Sequence, residues 1–281
     1  METIKLYRYF GTHGYETLRD QRLKLSLPSG LNDPFEFHYQ IVGEMTREKA
    51  LEIIEFRKTS DNFFQQFQSR DPGIKTKADL ESFIELHKDV MADAIVSVYR
   101  SENFDPSFSL SVLDDEYRIA SFTSTDFPPD EEILMWSHYS RKHVGIRIEF
   151  DMPIRGYDAY ILEKVKYSDK RVQLDMTNPD AYAAIMGSLE NLLTTKANCW
   201  SYEREYRMIV ATKKCAIELI DGKAEAFLNF SPEIVSGIDI GINCSDEAAL
   251  ILQVAMEKYK HATIRKAERH NTDFRIIYKP A

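Results

Sequence analysis

"VGIRIEFD", residues 144–151, decides the fold class. Ile146, Ile148 and Phe150 fall on one face and Arg147 and Glu149 on the other. An apolar period of two belongs to a strand, because successive side chains leave a pleated backbone on opposite sides. A strand with one apolar face is the pattern of an antiparallel sheet packed on a core.

The neighbouring sequence extends the pattern in both directions. Upstream, "YRIASFTS" (117–124) reads as a strand stopped by "FPPD", with Asp130 as the expected N-cap of the helix "EEILMWSHYSRKH". Downstream, "YILEKVKYS" (160–168), "YEREYRMIVAT" (202–212), "CAIELI" (215–220) and "AFLNF" (226–230) read as strands. A helix over 178–197, with Pro179 near its start, lies between the first two of these. At the N-terminus "IKLYRYF" (4–10) and "RLKLSLP" (22–28) are strands, followed by a turn at "GLNDPFEF" (30–37). Helical spacing runs from Thr46 to Lys58 and from Thr76 to Arg100. The second run carries the stripe Leu80, Phe83, Ile84, His87, Val90, Met91 and Ala94, and the helical pair is expected to cover one face of the sheet. Strand, helix 246–260 and strand make a βαβ-like C-terminal portion (232–281), closed by "DFRIIYK". The expectation is one α+β domain over 1–281, a mixed and mostly antiparallel sheet with a helical insertion at 46–101.

Composition narrows the function classes. The 281 residues carry a net charge of −9, which argues against a general nucleic-acid-binding surface. No apolar run approaches the roughly 18–20 residues of a membrane span, and "METIKLYRYF" lacks the build of a secretory signal. Three cysteines without CxxC spacing (Cys199, Cys215, Cys244) suit a reduced cytoplasm and support neither a disulfide framework nor a zinc site. Phosphate-loop, dinucleotide, nucleophile-elbow and zincin motifs do not occur. His138 and His143 lie five apart, a poor spacing for two ligands on one helix face, so no metal is expected.

Three segments place charge where a core is expected. In "LYRYF", Arg8 shares a face with Leu6 and Phe10, so it needs an anion: a phosphate, which suits a guanidinium, or an internal glutamate. In "SFTST", Ser121, Thr123 and Thr125 point one way, either orienting a ligand or ending a strand. In "YEREYRMI", a strand starting near Tyr202 puts Glu203, Glu205 and Arg207 on one face. They are then either a ladder of ion pairs or carboxylates held for chemistry. "MWSHY" puts Met135, Trp136 and Tyr139 on a helix face of core type and His138 off it, nearer a pocket, with Trp136 and Tyr139 also pocket candidates. In "NDPFE" the expected roles are a turn at Asp33-Pro34, an anchor at Phe35 and capping by Asn32, with Asn32 or Glu36 also candidates for a pocket rim.

Taken together, "NDPFE" (32–36), "MWSHY" (135–139), "GIRIEFD" (145–151) and "WSYEREYR" (200–207) resemble a bacterial family known as domain of unknown function 2971. The resemblance brings no activity with it and implies a setting near phage-defence and abortive-infection genes. More distantly, an arginine on the first strand, a Ser/Thr-rich strand end and a later Glu-x-Glu are similar to the ADP-ribosyltransferase superfamily. That likeness implies a related fold, with NAD as substrate rather than a required cofactor. Arg8 would hold the NAD phosphates, Ser121 or Thr123 would orient the ribose, Glu205 would bond the nicotinamide ribose and Glu203 would engage an unidentified acceptor. Tyr7, Tyr9 or Trp136 would stack on a ring, and Arg207 lines the same pocket. A non-catalytic ligand-binding sensor of a defence system is the alternative. A metal-dependent nuclease built on Glu149, Asp151 and Glu163 with Lys164 and Lys166 is the third.

Overall fold

The computed structural model describes residues 2–100, 108–154, 159–175, 177–178, 181–245 and 247–281. The expected Pro179 start of the helix after 178 lies outside the described residues. In chain order the elements are β1 (Thr3–Phe10), α1 (Gly14–Asp20), β2 (Arg22–Leu25), β3 (Gln40–Val42), α2 (Arg47–Lys58), α3 (Asp61–Arg70), α4 (Lys77–Arg100) and α5 (Phe108–Glu116). They continue with β4 (Tyr117–Ser124), α6 (Pro129–Tyr139), β5 (Ile146–Pro153), β6 (Ile161–Lys164), β7 (Lys166–Ser168), β8 (Gln173–Asp175), α7 (Ala181–Thr194), β9 (Thr195–Ala197) and β10 (Glu205–Ala211). The last are β11 (Ala216–Ile220), β12 (Lys223–Asn229), β13 (Val235–Ile240), α8 (Ala248–Lys258), β14 (Thr263–Arg269) and β15 (Ile276–Pro280). The fold is α+β with a mixed, mostly antiparallel sheet.

The chain divides into two compact units. One comprises Met1–Phe35, Leu110–Asp169 and Lys196–Ala281, and the other Glu36–Ser109 and Lys170–Thr195. The first holds an eight-stranded sheet in the order β15-β14-β13-β5-β1-β4-β10-β6. Only β13 and β14 run parallel in it, joined through α8, so the expected βαβ-like C-terminal portion is present. Alternation gives the sheet its core face. Leu6, Phe10, Phe122, Ile146, Ile148, Phe150, Met208 and Val210 pack with Ile251, Val254 and Ala255 of α8. Each such side chain contributes about 1.5–3 kcal/mol of hydrophobic stabilisation when fully buried.

The opposite face is not left to water. Tyr9, Met135, Trp136, Ala267 and Ile276 form a second cluster there, with α6 packed over it. The N-cap of α6 is Pro128, two residues before the cap expected at Asp130, with Pro129 at the first helical position and Asp130 in the first turn. After α6 the backbone passes so close to the end of β1 that a Cβ on Gly145 would lie 1.7 Å from the Phe10 carbonyl oxygen. Only glycine fits that join.

In the second unit α2, α3 and α4 build their own core from Ala50, Ile53, Ile54, Leu80 and Ile84. The amphipathic faces of α2 and α4 pack on each other. The expected stripe on α4 is shorter, because Val90 is 73% exposed. No helix among the described residues is long and apolar enough to cross a membrane.

Candidate functional site

The sheet of the first unit splits between β1 and β4. β1 pairs with β5 along its full length, and β4 pairs with β10 over seven residues, yet β1 and β4 pair only at Leu6–Ser124 and Tyr7–Thr123. Beyond Tyr7 the two strands diverge. The freed edge of β4 is met instead by Ser26, whose backbone exchanges hydrogen bonds of 2.8 and 2.9 Å with Ile119. The chain from Ser26 to Asn32 thus forms one lip of a cavity of about 220 Å³, with β1, β4, α6 and the start of β10 around the rest.

Two carboxylates reach this cavity by different routes. Glu205 opens β10, while Glu203 ends a 3-10 turn over Asn198–Glu203, and Arg204 between them is left-handed at φ 47°. The strand therefore starts at Glu205 rather than near Tyr202, and strand alternation does not place Glu203. The reversal at Arg204 does, because Lys196 then contacts both side chains. Its Nζ lies 2.6 Å from Glu203 Oε2 and 3.3 Å from Glu205 Oε2, and all three residues are almost fully buried. Arg207 grips Glu205 from behind, Nε to Oε1 at 2.9 Å and Nη2 to Oε2 at 3.2 Å. Tyr139 donates its hydroxyl to Glu203 Oε1 and accepts from Asn32 Nδ2 at 2.8 Å. Thr123 donates to the Glu203 carbonyl, and the Tyr167 hydroxyl accepts the Glu205 N–H at 2.8 Å.

The surroundings push the two carboxyls apart. Burial raises both, but at Glu205 the charges of Arg207 and Lys196, with hydrogen bonds from Arg207 and Ser121, win and hold it below the usual carboxylate range. At Glu203 burial prevails over Lys196 and Tyr139, with repulsion from Glu205 added, so its carboxyl sits above that range. Neighbouring carboxyls with opposite shifts are the arrangement from which acid and base roles are made.

Arg8 lines the same cavity and has no carboxylate. Nη2 donates to the Lys24 carbonyl at 2.9 Å, while Nη1 is shut off from solvent and has no partner among the described residues. The guanidinium lies 5.4 and 5.5 Å from the ring centres of Phe10 and Phe122, and burial lowers its pKa to about 10. A buried cation left partly unsatisfied is costly, so Nη1 calls for an acceptor that the described residues do not supply.

Of the residues singled out in the sequence, Tyr7, Arg8, Tyr9, Asn32, Ser121, Thr123, Met135, Tyr139, Glu203 and Glu205 line the cavity. Four do not. Trp136 is fully buried and donates Nε1–H to the Tyr278 hydroxyl at 2.9 Å, so it is core. His138 is exposed, with Nδ1 3.0 Å from the Tyr202 hydroxyl, and the helical turn carries it past the opening where Tyr139 enters. Glu36 is buried elsewhere, and Arg207 lies behind Glu205. In the turn at 32–35 the capping residue is Asp33, which accepts the Phe35 N–H at 2.9 Å, and Phe35 is 59% exposed instead of anchoring. Tyr7 is a wall and not a free stacking platform, since the Arg147 guanidinium lies 3.9 Å from its ring centre. The reading from sequence missed Lys196, Tyr167 and Ser26. Lys196 follows a helix in a three-residue strand with no pattern around it, and only its place seven residues before Glu203 hinted at it.

The nuclease arrangement does not assemble. β5 and β6 are separated by β1, β4 and β10, four strand spacings or about 19 Å. Glu149 and Asp151 pair with Lys5 instead, at 2.9 and 3.0 Å.

A second buried charge cluster occupies the same sheet face. Arg147 is 2% exposed and binds Asp239, Nε to Oδ2 at 2.9 Å, as well as Glu132 and the Tyr9 hydroxyl. Arg265 closes on the other Asp239 oxygen at 2.6 Å, and Tyr278 donates to Glu132 at 2.6 Å.

No curated protein and no solved structure matches the chain. Residues 135–208 match the family model described as "Protein of unknown function (DUF2971)". That stretch holds Tyr139, β5, Lys196, Glu203, Glu205 and Arg207, and in it the chain is similar to the DUF2971 family.

Proposed function

We propose that the chain is an NAD-consuming, ADP-ribosyltransferase-like enzyme that works in bacterial defence or as a toxin effector. What supports this reading above all is the convergence of Arg8, Ser121, Thr123, Glu203 and Glu205 on one cavity, with Arg8 Nη1 left without a partner. These residues come from three distant stretches and from the three segments whose charges the sequence leaves unexplained.

In this mechanism Arg8 pairs with a phosphate oxygen of NAD and Ser121 orients the ribose. The nicotinamide glycosidic bond breaks and nicotinamide leaves neutral, carrying the bonding pair to its ring nitrogen. The oxocarbenium-like C1′ that develops is stabilised by the ionised Glu205. An acceptor hydroxyl, amine or water then forms the new bond to C1′, and its proton passes to Glu203, which is ionised in the reacting form. A volume of about 220 Å³ is below the roughly 300–1,000 Å³ of pockets that enclose a drug-sized ligand. The cavity thus takes the nicotinamide-ribose end, and the adenylate end lies outside it. Nicotinamide release, followed by mass spectrometry with a panel of acceptors, tests the reading. Wild type is expected to release it, and Glu205→Gln to do so about 10²–10³-fold more slowly. Absence of both turnover and calorimetric NAD binding overturns it.

One observation favours a second reading. Glu205 is already neutralised by a two-point contact with Arg207, as a carboxylate in a structural pair would be. A non-catalytic sensor of an anionic ligand would use Arg8 alone, and Glu205→Ala would then lower the melting temperature without removing any chemistry.

A further inference from the structure

A second cavity, of about 390 Å³, lies in the first unit beside the turn between β14 and β15. Its lining combines apolar Ile133, Ile242 and Ile276 with His143, Arg269 and Phe274. None of these residues lines the cavity that holds Glu203 and Glu205.

Three features there are unexplained by folding. The first is Arg269, whose side chain has no hydrogen bond or ion pair among the described residues. Arg275 on the same turn is held by Asp273 at 3.5 Å and by His270 at 2.7 Å. The second is Phe274, a large aromatic that is 96% exposed. A cavity edge of this kind, apolar and rimmed by charge, is typical of a binding surface.

The third is His143. Ser137 donates its single hydroxyl proton to the Ile133 carbonyl at 2.8 Å, because a carbonyl can only accept. The 3.1 Å contact between Ser137 Oγ and His143 Nε2 is therefore donated by the imidazole. Nε2 carries the proton, and burial together with repulsion from Arg269 keeps the ring neutral. Nδ1 is then a bare acceptor, closed to solvent and without a partner among the described residues. A buried acceptor left in this way calls for a donor that the described residues do not supply. The ring is also placed at a backbone cost. Arg141, Lys142 and His143 are consecutively left-handed, at φ 51°, 58° and 67°. Such residues are individually strained, and their strain concentrates where a site is built.

We propose that this cavity is a second ligand site, which takes a small planar acid. Its anionic group pairs with Arg269, its ring packs on Ile133, Ile242 and Ile276 beside Phe274, and a hydroxyl or N–H on the ring serves His143 Nδ1. An acid without the donor, or a ring without the anion, fills only part of the site.

Isothermal titration of the full chain with 4-hydroxybenzoate tests this, with benzoate and phenol as partial probes. One molecule of 4-hydroxybenzoate is expected to bind per chain, and Arg269→Ala to weaken it about tenfold or more, the usual loss for a charged hydrogen bond. Phe274→Ala is expected to weaken it by a smaller factor, and benzoate and phenol to bind more weakly than the full probe. Arg269 and Phe274 are both exposed, so the variants keep the fold. Arg8→Met leaves this binding unchanged. No one-to-one binding at millimolar probe, binding that survives Arg269→Ala, or binding lost in Arg8→Met overturns the proposal.

Discussion

Two clusters of buried charge share one face of the main sheet, and they are finished differently. Around Arg147, two arginines meet two carboxylates, Asp239 and Glu132, and tyrosines fill the remaining space. Its formal charge is zero and its guanidinium lies between the Tyr7 and Tyr278 rings. Around Glu205, Lys196 and Arg207 hold two carboxylates beside a cavity, into whose wall Arg8 enters from the core face with Nη1 lacking a partner among the described residues. Tyr7 and Tyr9 are the party wall, lining the cavity on one side and touching Arg147 on the other. Buried charge alone therefore does not mark a site. Charge left incomplete beside an opening does.

The largest effect that would break the contrast is on the closed side. Arg147→Ala strands Asp239 and Glu132 among apolar neighbours, and should lower the unfolding free energy by about 3–5 kcal/mol in urea titration. If it costs no more than a surface substitution, the closed cluster is not structural. Next is Arg8→Met, which removes a cation that folding has not satisfied. Its stability is expected to stay within about 1 kcal/mol of wild type, or to rise. NAD affinity should fall about tenfold or more, the loss of a charge-assisted contact, by calorimetry. A large destabilisation with unchanged affinity would make Arg8 part of the frame. The smallest effect concerns pH. The Glu203 carboxyl is raised above 4.5 in the folded chain, so the folded state holds that proton longer than the unfolded state does. Its contribution to stability is present below pH 4.5 and is lost as pH rises through the raised value. Wild type minus Glu203→Gln should thus fall as pH increases from 4.5, in urea titrations at several pH values. Glu205, with its shift reversed, contributes stability above 4.5 that is lost on acidification.

Much of the fold was legible because alternation is a local property. Ile146, Ile148 and Phe150 lie on the core face as their spacing required. The meaning of the other face was not legible. Arg147 occupies a position that usually reads as solvated, and what encloses it includes Asp239 of β13 and Tyr278 of β15, both far away in sequence, besides nearby Glu132 of α6. At the site, Arg8, Ser121 and Glu205 could be singled out because each breaks a pattern. Glu203 was paired with Glu205 for the wrong reason: both face Lys196 through the left-handed turn at Arg204, not through a shared strand. Positive φ at a non-glycine residue leaves little trace in sequence. Of the neighbouring candidates His138 and Tyr139 only Tyr139 lines the cavity, because one helical step decides which side chain meets an opening, and no periodicity fixes a helix to that accuracy.

The first strand of the chain ends up in the interior of the sheet, between β5 and β4. During synthesis at roughly 5–20 residues per second, β1 leaves the ribosome about 5–20 s before β4 begins to appear at Tyr117. Through that interval its edges stay unpaired, while the helices of the second unit are already complete enough to pack on one another. The cavity is younger still, because both glutamates arrive some 80 residues after β4. The contact of α2 with α4 is therefore available before the sheet is, and the site only after Glu205 has emerged, with β11 to β15 and α8 still to follow.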